Sequence, residues 1–373
     1  MRFPGFDGEW ERKKLREVAE GISSGKSKNI NIQGQYPFYG STGIISTSDK
    51  FDYFGKKILI ARVGANAGFI YKVDGKFAVS DNTLILYPKD ERSLDFIFNY
   101  LIKYNLNKLI FGSGQPLITG GQLKLIEFKF PSIEEQEKIS SLLSLTETRI
   151  HTQKKIISHL ETLMKNSQEN IFNQKLKLKK ENGNNFPEWK IKKLGDLLIE
   201  SKEKSKEKNQ YRIISSTAKG LFYQDDYFTR DIASQDNTGY KILKKNQLVF
   251  SPQNLWLGNI NVNSDFEVGL VSPSYKIFNF DEKLTSASFC KYYLKTSAML
   301  FEFGQSSIQG ASVVRRNLDL NMFFNIQIQI PSIDEQTKIA NFLSAIAEKI
   351  ETEKKILAQY ETQKKFLLAN LFV

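Results

Sequence analysis

The side chains best suited to directed bonding gather in six short, glycine-bearing stretches. Three lie early, YPFYGSTG (36–43), ARVGANAGFIYK (61–72) and FGSGQPLITGG (111–121). Three lie late, ISSTAKG (214–220), FSPQNLWLGNINV (250–262) and FGQSSIQGASVVRR (303–316). Each mixes aromatics, hydroxyls, amides and single basic residues. That mixture suits a nucleic-acid surface, because Arg and Lys neutralise phosphates, Asn, Gln and Arg make paired bonds to base edges, and glycine admits close backbone approach. On composition, Arg62, Asn66, Gln253 and Asn254 are candidates for base-edge contacts, and Lys26, Lys72, Lys219, Arg315 and Arg316 for phosphate contacts. Ser41, Thr42, Gln115, Asn259 and Gln305 complete the polar set, while Tyr39 and Trp256 serve either as shape contacts or as core. Any one of these stretches also suits an ordinary surface turn. The weight comes from six of them in one basic chain.

Catalytic patterns are missing from the sequence. GISSGKS (21–27) has only three residues between Gly21 and Gly25, where a phosphate loop of the G-x-x-x-x-G-K-S type needs four. No Pro-Pro pair occurs, which excludes the Asn/Asp-Pro-Pro-aromatic motif of amino-methyltransferases, and no G-x-G-x-x-G opens a helix. The two histidines, His151 and His159, lie on one helical tract without a neighbouring cysteine or carboxylate arranged for metal or nucleophile chemistry. The single cysteine, Cys290, sits in the apolar run SASFCKYYL and is expected to be an inert core thiol in a reducing compartment. The chain is thus expected to be non-catalytic. No apolar run approaches the ~20 residues that span a bilayer, and the N-terminal stretch lacks a signal-peptide core, so the expected location is cytoplasmic, with no membrane partner.

The 373 residues are 40% hydrophobic and carry a formal net charge of +12. That length accommodates two cores. The cationic excess is +6 over residues 1–131 and +3 over 181–331, but zero over 332–373. The globular stretches are therefore the parts expected to face a polyanion.

What positions those stretches is a duplication. Residues 131–172 and 331–372 align without a gap at an offset of 200 and share 19 identities. In the first copy Ile139, Leu143, Thr146, Ile150, Gln153, Ile157, Leu160, Met164, Ser167 and Ile171 alternate spacings of four and three. The second copy repeats the register with Ile339, Leu343, Ile346, Ile350, Glu353, Leu357, Tyr360, Lys364, Leu367 and Leu371. This is a coiled-coil seam with a polar residue at the fifth place of each copy. Pro131 and Pro331 follow strand-like runs, Ser132 and Ser332 are N-cap candidates, and Glu135 and Glu335 stand where a capping box needs them. A helix of about 40 residues is roughly 60 Å long at 1.5 Å per residue, more than one domain needs for its own packing. The symmetry of the repeat predicts an antiparallel pair within the chain; a partner protein or a second copy could also cover the seam. Before each helix, β-rich runs precede one helical tract, LDFIFNYLIKYNLNKLIF in the first half and TSASFCKYYLKTSAMLFEF in the second.

A repeated P-S-I-[DE]-E-Q-x-K-I phrase opening each helix, with an E-W-x4-L phrase (Glu9, Trp10; Glu188, Trp189) opening each variable stretch, resembles the specificity subunit of type I restriction-modification systems over essentially the whole chain. The resemblance implies an α/β (α+β) chain with two target recognition domains, at 1–130 and 181–330. They would carry mixed twisted sheets and be joined by conserved helices at 131–180 and 331–373, which form an antiparallel coiled coil of pseudo-twofold symmetry. It further implies a bipartite double-stranded DNA target. The expected partners are two methylase (M) subunits carrying S-adenosylmethionine and two restriction (R) subunits carrying ATP, leaving this chain no cofactor of its own. The alternative is a two-headed scaffold that binds proteins, its basic charge being incidental.

Overall fold

The computed structural model describes residues 2–28, 30–110, 116–227, 236–309 and 316–372. The chain divides into two compact units, one made of residues 1–155 and 354–373 and the other of residues 156–353. The two long helices, Ile133–Phe172 and Ile333–Asn370, are each continuous and each contribute to both units.

Within the first unit, Glu11–Lys14 pairs antiparallel with Glu127–Phe130, closing the domain just before the first long helix. Its central sheet runs Ala19–Ser24, Thr83–Pro88, Lys57–Ala61, Ile70–Val73, with every pairing antiparallel. A second sheet runs Gly43–Ser48, Tyr36–Gly40, Lys76–Val79, Tyr53–Phe54, and its Tyr36–Gly40 and Lys76–Val79 strands are parallel. Between the sheets lie Leu59, Val73, Phe77, Val79 and Ile85. The larger core packs Ile58, Ile60, Leu84 and Leu86 against the helix Leu94–Tyr104 and against Ile139 and Leu143 of the first long helix. Leu367, Leu371 and Phe372, from the end of the second, belong to the same core.

The second unit repeats this plan. Lys190–Lys193 pairs with Gln327–Ile330, and the central sheet runs Leu198–Glu200, Lys276–Phe280, Leu248–Phe250, Ile260–Val262. In chain order both central sheets read first, fourth, second, third. The second sheet survives as two hairpin-like pairs, Ile214–Thr217 with Gly220–Tyr223 and Lys241–Lys244 with Val268–Val271, linked by a parallel bridge between Ile213 and Leu270. The mixed sheets expected from the sequence are thus present, the parallel pairing lying outside the central sheets. Its core holds Phe250, Phe278, Phe289 and Phe303 together with Ile171, Ile339 and Leu343.

In the first unit, Ile139 and Leu143 therefore meet Leu367 and Leu371; in the second, Ile171 meets Ile339 and Leu343. The start of each helix lies beside the end of the other, which is antiparallel pairing. Lys154 reaches Glu361 at 3.2 Å, and Lys364 bonds to Glu147, in the same sense. Every seam residue is buried or half-buried, including the polar pair Gln153 and Glu353.

Two expectations need correction. YPFYGSTG and ISSTAKG read by composition as surface turns, yet Tyr36–Gly40 pairs with Gly43–Ser48, and Ile214–Thr217 with Gly220–Tyr223. Their aromatic and β-branched residues favour a pleated surface, and only the turns Ser41–Thr42 and Ala218–Lys219 remain as tips. The capping boxes also form only in part. Ser132 and Ser332 Oγ accept from the backbone N–H of Glu135 and Glu335 at 3.4 Å. The Glu135 carboxylate turns instead to Arg2 and Trp10.

Candidate nucleic-acid interface

The three loop regions of each unit converge. In the first, Arg62 is the junction: its backbone N–H donates to Asn82 O at 2.9 Å, and its carbonyl accepts from Ile118 N–H at 2.8 Å. Asn82 O also accepts from Ser41 Oγ at 3.4 Å. The 36–43 turn, the 61–68 loop and the 116–118 segment are thereby tied at one place, and Gly64 N–H to Pro116 O at 3.0 Å repeats the tie. In the second, Asn259 and Asn261 bond to Ser216 and Thr217, joining the sheet loop to the 214–217 hairpin. Arg316 N–H donates to Gln253 O at 3.2 Å, adding the third segment.

Both sheet loops close on a glycine in the left-handed region. Gly68 has φ of +90° and Gly258 of +85°, each one or two residues before the returning strand. A Cβ on Gly68 would stand 2.6 Å from Asn107 Oδ1, so both its conformation and its room call for glycine.

These constraints sort the candidates. Lys26, Thr42, Asn66, Lys219, Gln253 and Gln305 are exposed. Asn66 and Asn254 hold their loops with backbone carbonyls, which accept from Phe69 N–H at 2.9 Å and from Leu257 N–H at 3.1 Å. Arg62 and Arg316 are half-buried, and each has a buried Nε without a hydrogen-bond partner. Arg62 Nη1 stands 3.5 Å from Ser24 Oγ, and the Arg316 guanidinium lies 4.1 Å over the Trp256 ring. Other candidates, the exposed Lys72 among them, already have partners within their own unit. Lys72 Nζ is 2.6 Å from Asp95 Oδ1 and lies over the Phe98 ring. Asn259 is buried and exchanges both amide functions with Ser216. Tyr39 packs beside Tyr71 and Phe77, and burial raises its phenol pKa. Gln115 and Arg315 lie outside the described residues.

Residues that sequence reasoning passed over do much of the positioning. Asn82 and Ser216 are examples, and the only signal for Asn82 was its place in the Asp-Asn turn between two apolar runs. Cys290 is buried beside Thr285, and burial pushes its thiol up to about 12, so it is inert at neutral pH. Among the described residues no group of His, Cys, Asp and Glu is arranged to hold a metal, and no helix is long and apolar enough to cross a membrane.

Two units with one strand order, each gathering three polar loops to one place, define a modular α/β protein built on a duplicated plan. The type I restriction modification DNA specificity domain matches twice, at residues 7–162 and 187–362. The chain therefore belongs to that family. It is 29% identical to the EcoprrI specificity subunit of Escherichia coli over 30% of this chain and 28% of that one. With the MjaIX specificity subunit of Methanocaldococcus jannaschii it shares 23% identity over 68% of each. Over the first curated relatives, the chain matches between 28% and 47% of their length. The fold resembles the crystal structure of the S subunit from M. genitalium, with a TM-score of 0.63 at 18% identity over 100% of this chain and 97% of that one.

Proposed function

We propose that the chain reads a bipartite double-stranded DNA target, one half-site per unit, and directs methylase and restriction partners to it. The observation that carries this reading is the convergence of three polar loops in each of two units of a DNA specificity family. The target recognition domains would be residues 1–130 and 181–330, and the conserved helices 131–180 and 331–373, with helix length setting the number of unread base pairs. The exposed Asn66 and Gln253, with Asn254, are our choice for base-edge contacts. Lys26, Lys219 and, outside the described residues, Arg315 are our choice for phosphate.

Arg62 and Arg316 are the favoured anchors. A buried Nε without an acceptor costs about 1–3 kcal/mol, and a base edge or phosphate oxygen would remove that cost on binding. Assembly would bring two methylase subunits with S-adenosylmethionine and two restriction subunits with ATP, in the cytoplasm, with no cofactor on this chain. The protein-only scaffold reading has no such use for the arginines.

The test is to map methylated bases in cells carrying this chain with its methylase partner, beside duplex binding at rising salt. A two-part motif and affinity falling linearly in log salt are expected. Salt-independent binding, or methylation without a motif, refutes the reading.

A further inference from the structure

The duplicated helix starts carry the same glutamate in two different states. Glu135 is 1% exposed, and Arg2 holds it with Nε 2.8 Å from Oε1 and Nη2 2.9 Å from Oε2. The Trp10 indole N–H donates to Oε2 at 3.1 Å. Its counterpart Glu335 is 5% exposed and keeps the matching indole bond, from Trp189. Among the described residues no guanidinium meets it. Eight residues before Trp10 stands Arg2, whereas eight before Trp189 stands Glu181. Glu335 Oε2 is buried without a hydrogen-bond partner. Lys177 acts on the carboxyl only through its field, and burial raises the carboxyl pKa above the ordinary range.

Glu335 also borders a cleft of about 480 Å³. Gln174, Lys177, Glu188, Trp189 and Gln329 line the same cleft. We propose that this cleft is a receptor for a guanidinium group, an arginine side chain that completes the second unit from outside as Arg2 completes the first from within. The recognition is a bidentate pair to the Glu335 carboxylate, with the indole N–H sharing one oxygen. Guanidinium matches this geometry and a lysine ammonium does not.

The test uses the full chain labelled with ¹⁵N at its tryptophan indoles, the Trp189 resonance being assigned with Trp189→Phe. Three probes are titrated: N-acetyl-arginine amide, its neutral isostere N-acetyl-citrulline amide, and the pentapeptide Met-Arg-Phe-Pro-Gly. An arginine probe should move the Trp189 resonance saturably, citrulline should bind at least tenfold more weakly, and Trp10 should stay still. Response to the pentapeptide alone assigns the site to arginine on a polypeptide; response to arginine amide as well assigns it to the free guanidinium compound. Glu335→Gln keeps an acceptor for Trp189 and should abolish the shift, with unmoved Trp10 and Trp256 resonances reporting an intact fold. No saturable shift with either arginine probe overturns the proposal. So does an equal response to citrulline, or a response that survives Glu335→Gln.

Discussion

The two helix starts begin with nearly the same phrase, PSIEEQ and PSIDEQ, yet their buried polar groups are satisfied in opposite ways. In the first unit Glu135 has Arg2 and Trp10, while Gln136 donates to Pro131 O at 2.8 Å and leaves its Oε1 buried and unpaired. In the second unit Gln336 is saturated. Its oxygen accepts from Thr285 Oγ1 at 3.0 Å and Ser286 N–H at 2.9 Å, and its nitrogen donates to Leu284 O and Pro331 O. There it is Glu335 that holds an unpaired oxygen. Identical residues at identical positions thus acquire different energies from the variable domain they touch. A conserved phrase specifies the element, and the neighbouring domain decides its cost.

The largest expected effect tests whether the heads are independent. Exchanging residues 22–130 for those of a relative should replace one half-site of the methylation motif completely and leave the other unchanged. A change in both halves breaks the division into two readers. Next come the anchors. Arg62→Ala and Arg316→Ala should each cost about 1–3 kcal/mol of duplex binding, relaxing specificity in one half-site only. An equal loss on unrelated duplexes, seen by titration against scrambled half-sites, would make them phosphate contacts instead.

The glutamines sharpen the comparison further. Gln336→Leu removes the partner of Thr285 Oγ1, Ser286 N–H and Leu284 O as well as of Pro331 O and should destabilise by about 2–4 kcal/mol, whereas Gln136→Leu removes a single bond and an unpaired oxygen and should cost under about 1 kcal/mol. Urea unfolding of both variants checks the inequality; equal losses would mean the orphan oxygen is satisfied in solution.

The glutamates give a pH signature. Burial raises the Glu335 carboxyl above its unfolded value, so the native state binds its proton more tightly. The stability this confers is fully present below the unfolded carboxylate value of about 4.3 and is lost as pH rises through the raised folded value. Lys177, which lines the same cleft, offsets part of that rise in pKa through its positive charge. Relative to the wild type, Glu335→Gln should become progressively more stable as pH rises between the two values. A flat difference from pH 4 to 8 would show that Glu335 is already paired. The smallest effect belongs to the exposed pair Lys154 and Glu361. Reversing either charge should shift stability by under about 1 kcal/mol, and less in high salt.

The seams of the helices were legible in the sequence to the residue, because burial on one side leaves a regular period, although the first helix ends at Phe172 and not at 180. Leu143 and Leu343, or Gln153 and Glu353, could be placed at once. The E-W and P-S-I-x-E-Q phrases were equally visible. Their meeting was not, because the indole-to-carboxylate bond joins residues more than a hundred positions apart and Arg2 lies outside either phrase. The convergence of the loops was half legible. Arg62, Asn66 and Gln253 fell in stretches that do come together, whereas the burial of Asn259 was hidden. An asparagine beneath a hairpin reads from sequence like one facing solvent. Tyr36–Gly40 was misassigned for a related cause. Its turn residues masked a strand that has one partner next door, Gly43–Ser48, and a second, Lys76–Val79, that enters from far along the chain.

The last turn of the final helix has a bearing on synthesis. Leu367, Leu371 and Phe372 sit in the core of the first unit, Phe372 lies against Phe96 and Tyr100, and Lys103 donates to the Phe372 carbonyl. The second unit draws on residues 156–353 alone. A nascent chain leaving the ribosome can therefore finish its later-coded head first, and the head translated earliest must wait, its apolar floor open, until the closing residues emerge.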